Sequence, residues 1–82
     1  MPKLRHLSGK EVIKILESFG FEIFSQKGSH VRLQRIIKGQ EQRLLVAIHG
    51  SKAIKPATLK SIYRSAMQFV PEEELEKRFY TD

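Results

Sequence analysis

The sequence predicts an α+β domain in which a helix, three antiparallel strands and a second helix follow one another, in the order α-β-β-β-α. Apolar residues recur at the helical period in residues 8–20 and 56–70, and at a period of two between these segments. Glycines stand where a helix must end and where strands must turn. The apolar residues of all five elements can then share one core, with both helices on one face of a three-stranded sheet.

The first helix has a clear beginning and end. Ser8 can cap the free amides of the first turn, and Glu11 three residues later completes a capping box. Gly20 ends the helix, because glycine adopts the left-handed conformation at a helix end without steric cost. The buried stripe predicted between them consists of Val12, Ile15, Leu16 and Phe19.

The three strands alternate apolar and polar residues. The first begins at Phe21, the second runs from Ser29 to Ile36, and the third runs from Arg43 to His49. A slip by one residue would bury charged side chains, so the alternation determines which residues face the core. The residues predicted to face the core are Phe21, Ile23, Val31, Leu33, Leu44, Val46 and Ile48.

Two glycine turns predict the register of the strands. A three-residue loop, Gln26-Lys27-Gly28, places glycine where a left-handed residue is needed and pairs Phe24 with His30. A two-residue turn at Gly39-Gln40, of type II′, pairs His30 with His49. His30 would then lie between an aromatic ring on one side and a second imidazole on the other.

Proline residues frame the second helix. Pro56 is well placed as its first residue, after a basic connector. Pro71 ends its apolar stripe, and residues 72–80 have the charge pairing of a short third helix that Leu75 and Phe79 can dock. The stripe predicted to be buried in the second helix consists of Leu59, Ile62, Tyr63, Ala66, Phe69 and Val70.

Length and composition limit the kind of protein. The 82 residues suit one domain, which we predict to span 1–82 with a mobile basic leader at 1–7 and an acidic helix or tail at 71–82. The chain has no cysteine, which excludes a disulfide framework, a thiol nucleophile and a thiolate zinc site. No apolar run is long enough to span a bilayer or to act as a secretory segment, so we expect a cytoplasmic protein.

The charge of the chain is basic and uneven. The net charge is +6, but residues 1–70 carry 13 basic and 4 acidic side chains, whereas residues 71–82 carry 2 basic and 5 acidic ones. A body this basic attracts polyanions, nucleic acid first and an acidic protein partner second. The start of the second helix adds a phosphate site, because its free amides are flanked by Lys52 and Lys55.

The sheet face that the helices leave open carries the candidate chemistry. His30 stands there beside the Gly28-Ser29 turn, between Lys27 and Arg32. An imidazole titrates near neutral pH, so it can take a proton from a ribose hydroxyl or give one to a leaving oxygen, while basic neighbours stabilise charge on a phosphate. The alternative is a surface histidine that hydrogen-bonds the turn. The residues predicted on this face are Phe24, His30, Arg32, Gln34, Arg43 and His49.

The remaining candidates for chemistry are weaker. His49 could divide acid and base roles with His30, or it could merely end a strand. A zinc site built on these histidines lacks a third ligand. Ser29 lacks a base, because the side chain of the neighbouring His30 should point to the opposite face, and His6 in the leader is unassigned.

Three segments carry a family resemblance: Gly28-Ser29-His30, then Val46-Ala47-Ile48-His49, then the segment from Ile54 to Ile62. In this order, residues 8–70 resemble the HicA toxin family, also called YcfA-like proteins. The resemblance implies a fold like the double-stranded-RNA-binding domain, ribosome-independent cleavage of mRNA, and neutralisation by a HicB-type antitoxin. It also implies that the catalytic histidine is His30.

The sequence departs from the family at two positions. Ala47 stands where many members have proline, and Ala57 stands where they commonly have glycine. Neither is the catalytic position, but Ala57 reduces the room for a phosphate at the start of the second helix.

We therefore predict a metal-independent endoribonuclease without a cofactor, whose catalytic residue is His30 and whose second acid or base can be His49. The first alternative is a non-catalytic RNA-binding module that prefers duplex and needs no histidine. The second is a protein-interaction domain whose basic face docks an acidic partner. The residues predicted to bind RNA phosphates are Lys27, Gly28, Ser29, Arg32, Lys52 and Lys55.

Overall fold

The structure, a computed structural model, describes residues 2–48, 50 and 52–81. Its elements in chain order are β1 (Lys3–Leu4), α1 (Gly9–Ser18), β2 (Glu22–Lys27), β3 (His30–Ile37), β4 (Gln40–Ala47), α2 (Pro56–Ala66), α3 (Glu72–Phe79) and β5 (Tyr80–Thr81). Strands β2, β3 and β4 form an antiparallel sheet in that order, with α1 before it and α2 after it. The predicted α-β-β-β-α order is confirmed, and β1 and β5 add a second small sheet.

Helix α1 begins and ends at the predicted signals. The hydroxyl of Ser8 accepts the N–H of Glu11 at 3.3 Å, and the carboxylate of Glu11 accepts the N–H of Ser8 at 2.9 Å. The bond donated by the Ser8 N–H, together with the Ser8 side chain, favours the charged carboxylate and lowers the pKa of Glu11. Gly20 follows the helix at φ +94°, and Pro56 is the first residue of α2 as predicted.

The hydrophobic core lies between the sheet and the helices. From the sheet it takes the predicted inward residues of β3 and β4, and Phe21 just before β2. Ile23 does not follow the prediction, because 46% of its surface is exposed. It faces the core side opposite Leu33, but β2 is one edge strand of the sheet, and α1 and α2 pack against the other edge strand, β4. The largest fully buried side chains are Phe21, Phe79, Leu7, Leu16, Leu33, Leu59, Leu75, Val12, Val31 and Val46.

The turn between β3 and β4 corrects the predicted register. Ile37 pairs with Gln40 across the turn, and both central residues have positive φ, 52° at Lys38 and 81° at Gly39. This is a type I′ turn, whose twist matches that of the flanking strands. His30 therefore lies opposite Ala47, and its predicted pairing with His49 is wrong.

The register shift in this hairpin is two residues, so every side chain keeps its predicted face. Strand β4 correspondingly begins at Gln40 rather than at Arg43. His49, the predicted end of this strand, lies outside the described residues.

The turn between β2 and β3 also differs from the prediction, because it is one residue shorter. Lys27 pairs with His30 around a two-residue turn, Gly28-Ser29, in which Gly28 has φ +56°. The predicted pairing of Phe24 with His30 is wrong, because this turn pairs His30 with Lys27. Farther along β2, a β-bulge shifts the register by one residue between Ile23 and Ser25. The bulge accommodates one extra residue, Phe24, on the outer strand.

The first and the last strand pair with each other. Strand β1 pairs antiparallel with β5, and the N–H of Arg5 donates to the carbonyl of Phe79 at 2.9 Å. Leu7 is buried in the core, so the prediction of a mobile leader at 1–7 is wrong. The predicted third helix forms as α3, and its two docking residues, Leu75 and Phe79, are fully buried.

Arg35 holds three parts of the fold together. Its guanidinium donates to the carbonyl of Phe19 at 2.7 Å, just after α1, and to the carbonyl of Phe69 at 2.6 Å, just after α2. It also donates to the side chain of Gln42 on β4 and lies 4.7 Å from the centre of the Phe21 ring. Burial lowers the pKa of Arg35 from its ordinary value.

We predict that Arg35→Met lowers the free energy of unfolding by at least about 2 kcal/mol, because hydrogen bonds from a charged donor are each worth about 1.5–3 kcal/mol. The matched control is Arg32→Met, three residues away on the same strand but exposed, which should cost less than about 0.5 kcal/mol. Urea unfolding followed by circular dichroism measures both. Equal midpoints for the two variants would contradict this role of Arg35.

Candidate functional site

His30 is exposed at the start of the central strand β3, on the sheet face that the core does not use. Its cross-strand neighbours are Lys27 on β2 and Ala47 on β4. Side chains paired in this way have Cβ atoms about 4.5–5.5 Å apart. Arg32 is the next residue of β3 on the same face, and it is also exposed. The predicted basic neighbours of His30 therefore flank it on its own strand and on the adjacent one.

The backbone around His30 is fixed on both sides. The carbonyl of Gly28 accepts the side-chain amide of Gln26 at 3.2 Å, and the carbonyl of Ser29 accepts the N–H of Ile48 at 2.6 Å. Within residues 2–48, 50 and 52–81, the hydrogen bonds at this turn do not include the imidazole of His30. The backbone of the turn is thus fixed by hydrogen bonds in which the imidazole of His30 takes no part.

Ala47 leaves room beside the imidazole. Because Ser29 and Ile48 form a hydrogen-bonded pair, the adjacent pair of His30 and Ala47 is the non-hydrogen-bonded type, in which side chains come closer together. A methyl group is the smallest side chain that such a position can carry. The geometry therefore gives a ligand access to His30 from the β4 side.

A cavity of about 450 Å³ lies at the start of α2. The N-terminal cap of the helix, Lys55, makes no side-chain hydrogen bond to the first turn, so no side chain of the cap competes for those amides. Ala47 belongs to the wall of this cavity, which joins it to the surroundings of His30. The lining residues are Ala47, Lys52, Ala53, Ile54, Lys55 and Thr58.

The structure thus brings the predicted site residues into two adjoining groups. Lys27, the Gly28-Ser29 turn and Arg32 surround His30 on the open face, while Lys52 and Lys55 line the cavity at α2. Ser29 is half-buried, whereas the four basic side chains are exposed. His49, the predicted second acid or base, lies outside the described residues.

A second cluster on the open face, beyond Arg32 from His30, was missed by the sequence analysis. The guanidinium of Arg43 lies 5.1 Å from the centre of the Phe24 ring, although the two residues belong to the two outer strands. Both residues were placed on this face, but their contact depends on the bulge in β2, for which the sequence offered no turn or glycine signal. Together with Arg32 and Leu45 they enclose a cavity of about 250 Å³.

The described part of the chain carries no group of three or more His, Cys, Asp or Glu side chains that could hold a metal ion. Among the same residues, no helix is long and apolar enough to cross a membrane. The salt bridge on the open face joins Arg43 to Glu41 at 3.0 Å, and both side chains are more than half exposed. Such a pair is worth little energy, so Arg43 remains available to a ligand.

Comparison with family models gives one match to residues 9–67, a family described as HicA toxin of bacterial toxin-antitoxin. The matched range runs from α1 through α2 and includes His30 and the cavity at α2. It does not include β1, α3 or β5. No curated protein and no solved structure matches the chain.

We predict that Ala47→Pro leaves the free energy of unfolding within about 1 kcal/mol of the parent. The alternation of hydrogen bonds directs the N–H of Ala47 away from β3, and β4 is an edge strand, where proline is tolerated. Arg32→Pro is the control, because it removes a ladder donor from the central strand at an exposed position. The midpoint temperature of thermal unfolding measures both variants. A midpoint lowered as much by Ala47→Pro as by Arg32→Pro would contradict the assigned pairing.

Proposed function

Because the chain belongs to the HicA toxin family, we propose that it is an endoribonuclease that cleaves mRNA independently of the ribosome, with His30 as its catalytic residue. As a member of this family it is a toxin of a toxin–antitoxin system with a cognate antitoxin partner. The observation that carries the proposal is the position of His30, exposed on the basic sheet face within the matched range.

The chemistry requires a proton acceptor and stabilisation of negative charge. The neutral imidazole of His30 takes the proton of a ribose 2′-hydroxyl, and the 2′-oxygen attacks the adjacent phosphorus. The bond from phosphorus to the 5′-oxygen breaks, and that oxygen takes up a proton. The products are a 2′,3′-cyclic phosphate and a 5′-hydroxyl end, so the step balances without a metal ion or a cofactor.

The basic side chains supply the electrostatic part of catalysis. Lys27 and Arg32 flank His30, so they can bind the non-bridging oxygens of the scissile phosphate and stabilise the charge that develops there. The space beside Gly28 is open, since a Cβ there would meet nothing within 4 Å, so the backbone of an RNA can approach the turn next to His30. Lys52 and Lys55, with the first amides of α2, would hold the next phosphate in the adjoining cavity.

Protonation of the leaving 5′-oxygen requires a second group, which acts as the general acid. His49, which lies outside the described residues, is the proposed donor. The antitoxin partner is proposed to be HicB-like, and the site of action is proposed to be the cytoplasm, where mRNA is available.

We predict that His30→Ala lowers the rate of cleavage of single-stranded RNA by about 100- to 10,000-fold, the usual contribution of general acid–base catalysis. The control is His6→Ala, which removes another exposed histidine and should retain the parental rate. Cleavage by the parent should also persist in excess chelator. End-labelled RNA resolved on gels measures all three, with circular dichroism to verify folding.

The same assay separates the proposal from its alternatives. Undiminished cleavage by folded His30→Ala protein would refute the catalytic role of His30. Tight binding of duplex with the RNA left intact would favour the RNA-binding module. A parent protein without affinity for RNA at low salt would favour the protein-interaction domain, because phosphate contacts are strongest at low salt.

We further predict that Lys55→Gln weakens the binding of single-stranded RNA to a similar extent for all sequences. Loss of one phosphate contact should reduce the slope of log K against log salt by about 0.7 to 1. The control is Lys14→Gln on α1, which should leave the slope unchanged because α1 packs on the core side of the sheet. Fluorescence anisotropy with 2′-O-methyl RNA, whose blocked 2′-oxygen cannot attack, gives the affinities. Identical slopes for Lys55→Gln and the parent would exclude a phosphate contact at Lys55.

A further inference from the structure

The Phe24 ring is aimed across the open sheet face. It is 39% exposed, whereas Phe21 and Phe79 are buried in the core. The bulge at Phe24 inserts one extra residue into the outer strand, and bulges of this kind redirect side chains. The ring thereby reaches Arg43 on the far strand, although β2 and β4 are separated by about 9.6 Å, two strand spacings.

The surroundings of this ring have the chemistry of a base-stacking site. The cavity of about 250 Å³ beside it is smaller than the usual pocket for a drug-sized ligand and suits one planar ring system. Its lining combines the aromatic Phe24, the apolar Leu44 and Leu45, and the two arginines Arg32 and Arg43. Aromatic faces and guanidinium planes are the groups on which proteins stack the bases of single-stranded RNA.

Arg43 can make room for a base. Its salt bridge to Glu41 is exposed, and exposed pairs contribute at most about 1 kcal/mol. The guanidinium can therefore move from the Phe24 ring and close over the other face of an incoming base. It can also bind the phosphate of the same nucleotide.

Arg32 connects this cavity to the surroundings of His30. The two residues are alternate members of β3 on the same face, so their Cα atoms are about 6.8 Å apart. A base beside Phe24 therefore belongs to a nucleotide next to the phosphate at His30. The cavity at α2 lies on the other side of His30, beyond Ala47.

We propose that Phe24, Arg32 and Arg43 form a stacking subsite for the base of one nucleotide adjacent to the scissile phosphate. The inference rests on the proposed ribonuclease function, which it extends from phosphate binding to base binding. Every base has a π-face, so the subsite accepts all four bases and gives only a modest preference based on stacking strength.

The test uses single-stranded 2′-O-methyl RNA in which 2-aminopurine, a fluorescent base quenched by stacking, is moved along the strand one position at a time. With the parent protein, we expect strong quenching at one position. Phe24→Leu keeps an apolar side chain but removes the ring, so it should abolish that quenching and weaken binding by about 5- to 150-fold. Phe24→Trp should retain both.

Ile36→Leu is the matched control, because Ile36 is an exposed apolar residue at the hairpin end of the same sheet. It should leave the quenching and the affinity unchanged. An abasic nucleotide at the quenched position provides a second measurement that does not depend on folding of a variant. The abasic nucleotide should weaken binding to the parent by the same factor as Phe24→Leu. In the Phe24→Leu variant it should cause no further loss of affinity.

The outcomes separate the subsite from the proposed nuclease function. Quenching that survives in Phe24→Leu, or an abasic nucleotide that costs no affinity, would overturn the subsite even if the parent cleaves RNA. Position-specific quenching that is lost in Phe24→Leu would support the subsite even if the parent fails to cleave RNA. Failure of the parent to cleave RNA would refute the proposed nuclease function and not the subsite.

Discussion

The two-residue period of strand β3 is the constraint on which both the core and the candidate site depend. Val31 and Leu33 are fully buried on one face, while His30 and Arg32 are exposed on the other. A slip by one residue would bury an imidazole and a guanidinium and expose two core residues, at a cost of several kcal/mol. Burial of the apolar face therefore fixes the direction of the catalytic candidate, without any contact made by His30 itself.

This constraint explains which features the sequence could predict. The capping box, the end of α1, the start of α2 and the faces of β3 and β4 each depend on local residue types, and all of them were predicted. The end of α2 was not, because the helix stops at Ala66, before Phe69 and Val70 of its predicted stripe. The register was not, because it depends on the type of turn. Lys38 adopts φ 52°, a conformation uncommon for residues other than glycine, so the sequence Lys38-Gly39 did not indicate a type I′ turn. The resulting error of two residues moved the partner of His30 along β4 but left it on the same face.

Two further missed features depend on contacts between residues distant in the sequence. Arg35 lies on the core-facing side of β3, and acceptors that folding brings together, among them the carbonyls of Phe19 and Phe69, make its burial favourable. The contact of Phe24 with Arg43 likewise requires a bulge that no local residue type announced. Alternation predicted the face on which the site lies, but not the contacts within it.

The segment outside the matched family range is part of the same core. Leu75 and Phe79 are fully buried, and the Tyr63 ring of α2 packs edge-on against Phe79 with ring centres 5.4 Å apart. The hydroxyl of Tyr63 donates to Glu72 at 3.3 Å, and burial together with this carboxylate raises the pKa of Tyr63 to about 12. Because that value lies far above neutral pH, the Tyr63 hydroxyl keeps its proton at neutral pH and can donate a hydrogen bond to Glu72.

The position of α3 also determines how the charges of the chain act on a polyanion. Three glutamates occupy its first turn, where they interact favourably with the helix dipole, and the helix docks on the core beside α2. The open face lies on the other side of the sheet, and packed layers are separated by about 10 Å, about one Debye length at 0.1 M salt. Salt therefore weakens the repulsion between the acidic segment and an RNA at the proposed site. The basic body, with 13 basic and 4 acidic side chains in residues 1–70, then contributes more to the attraction of that site for phosphate than the net charge of +6 indicates.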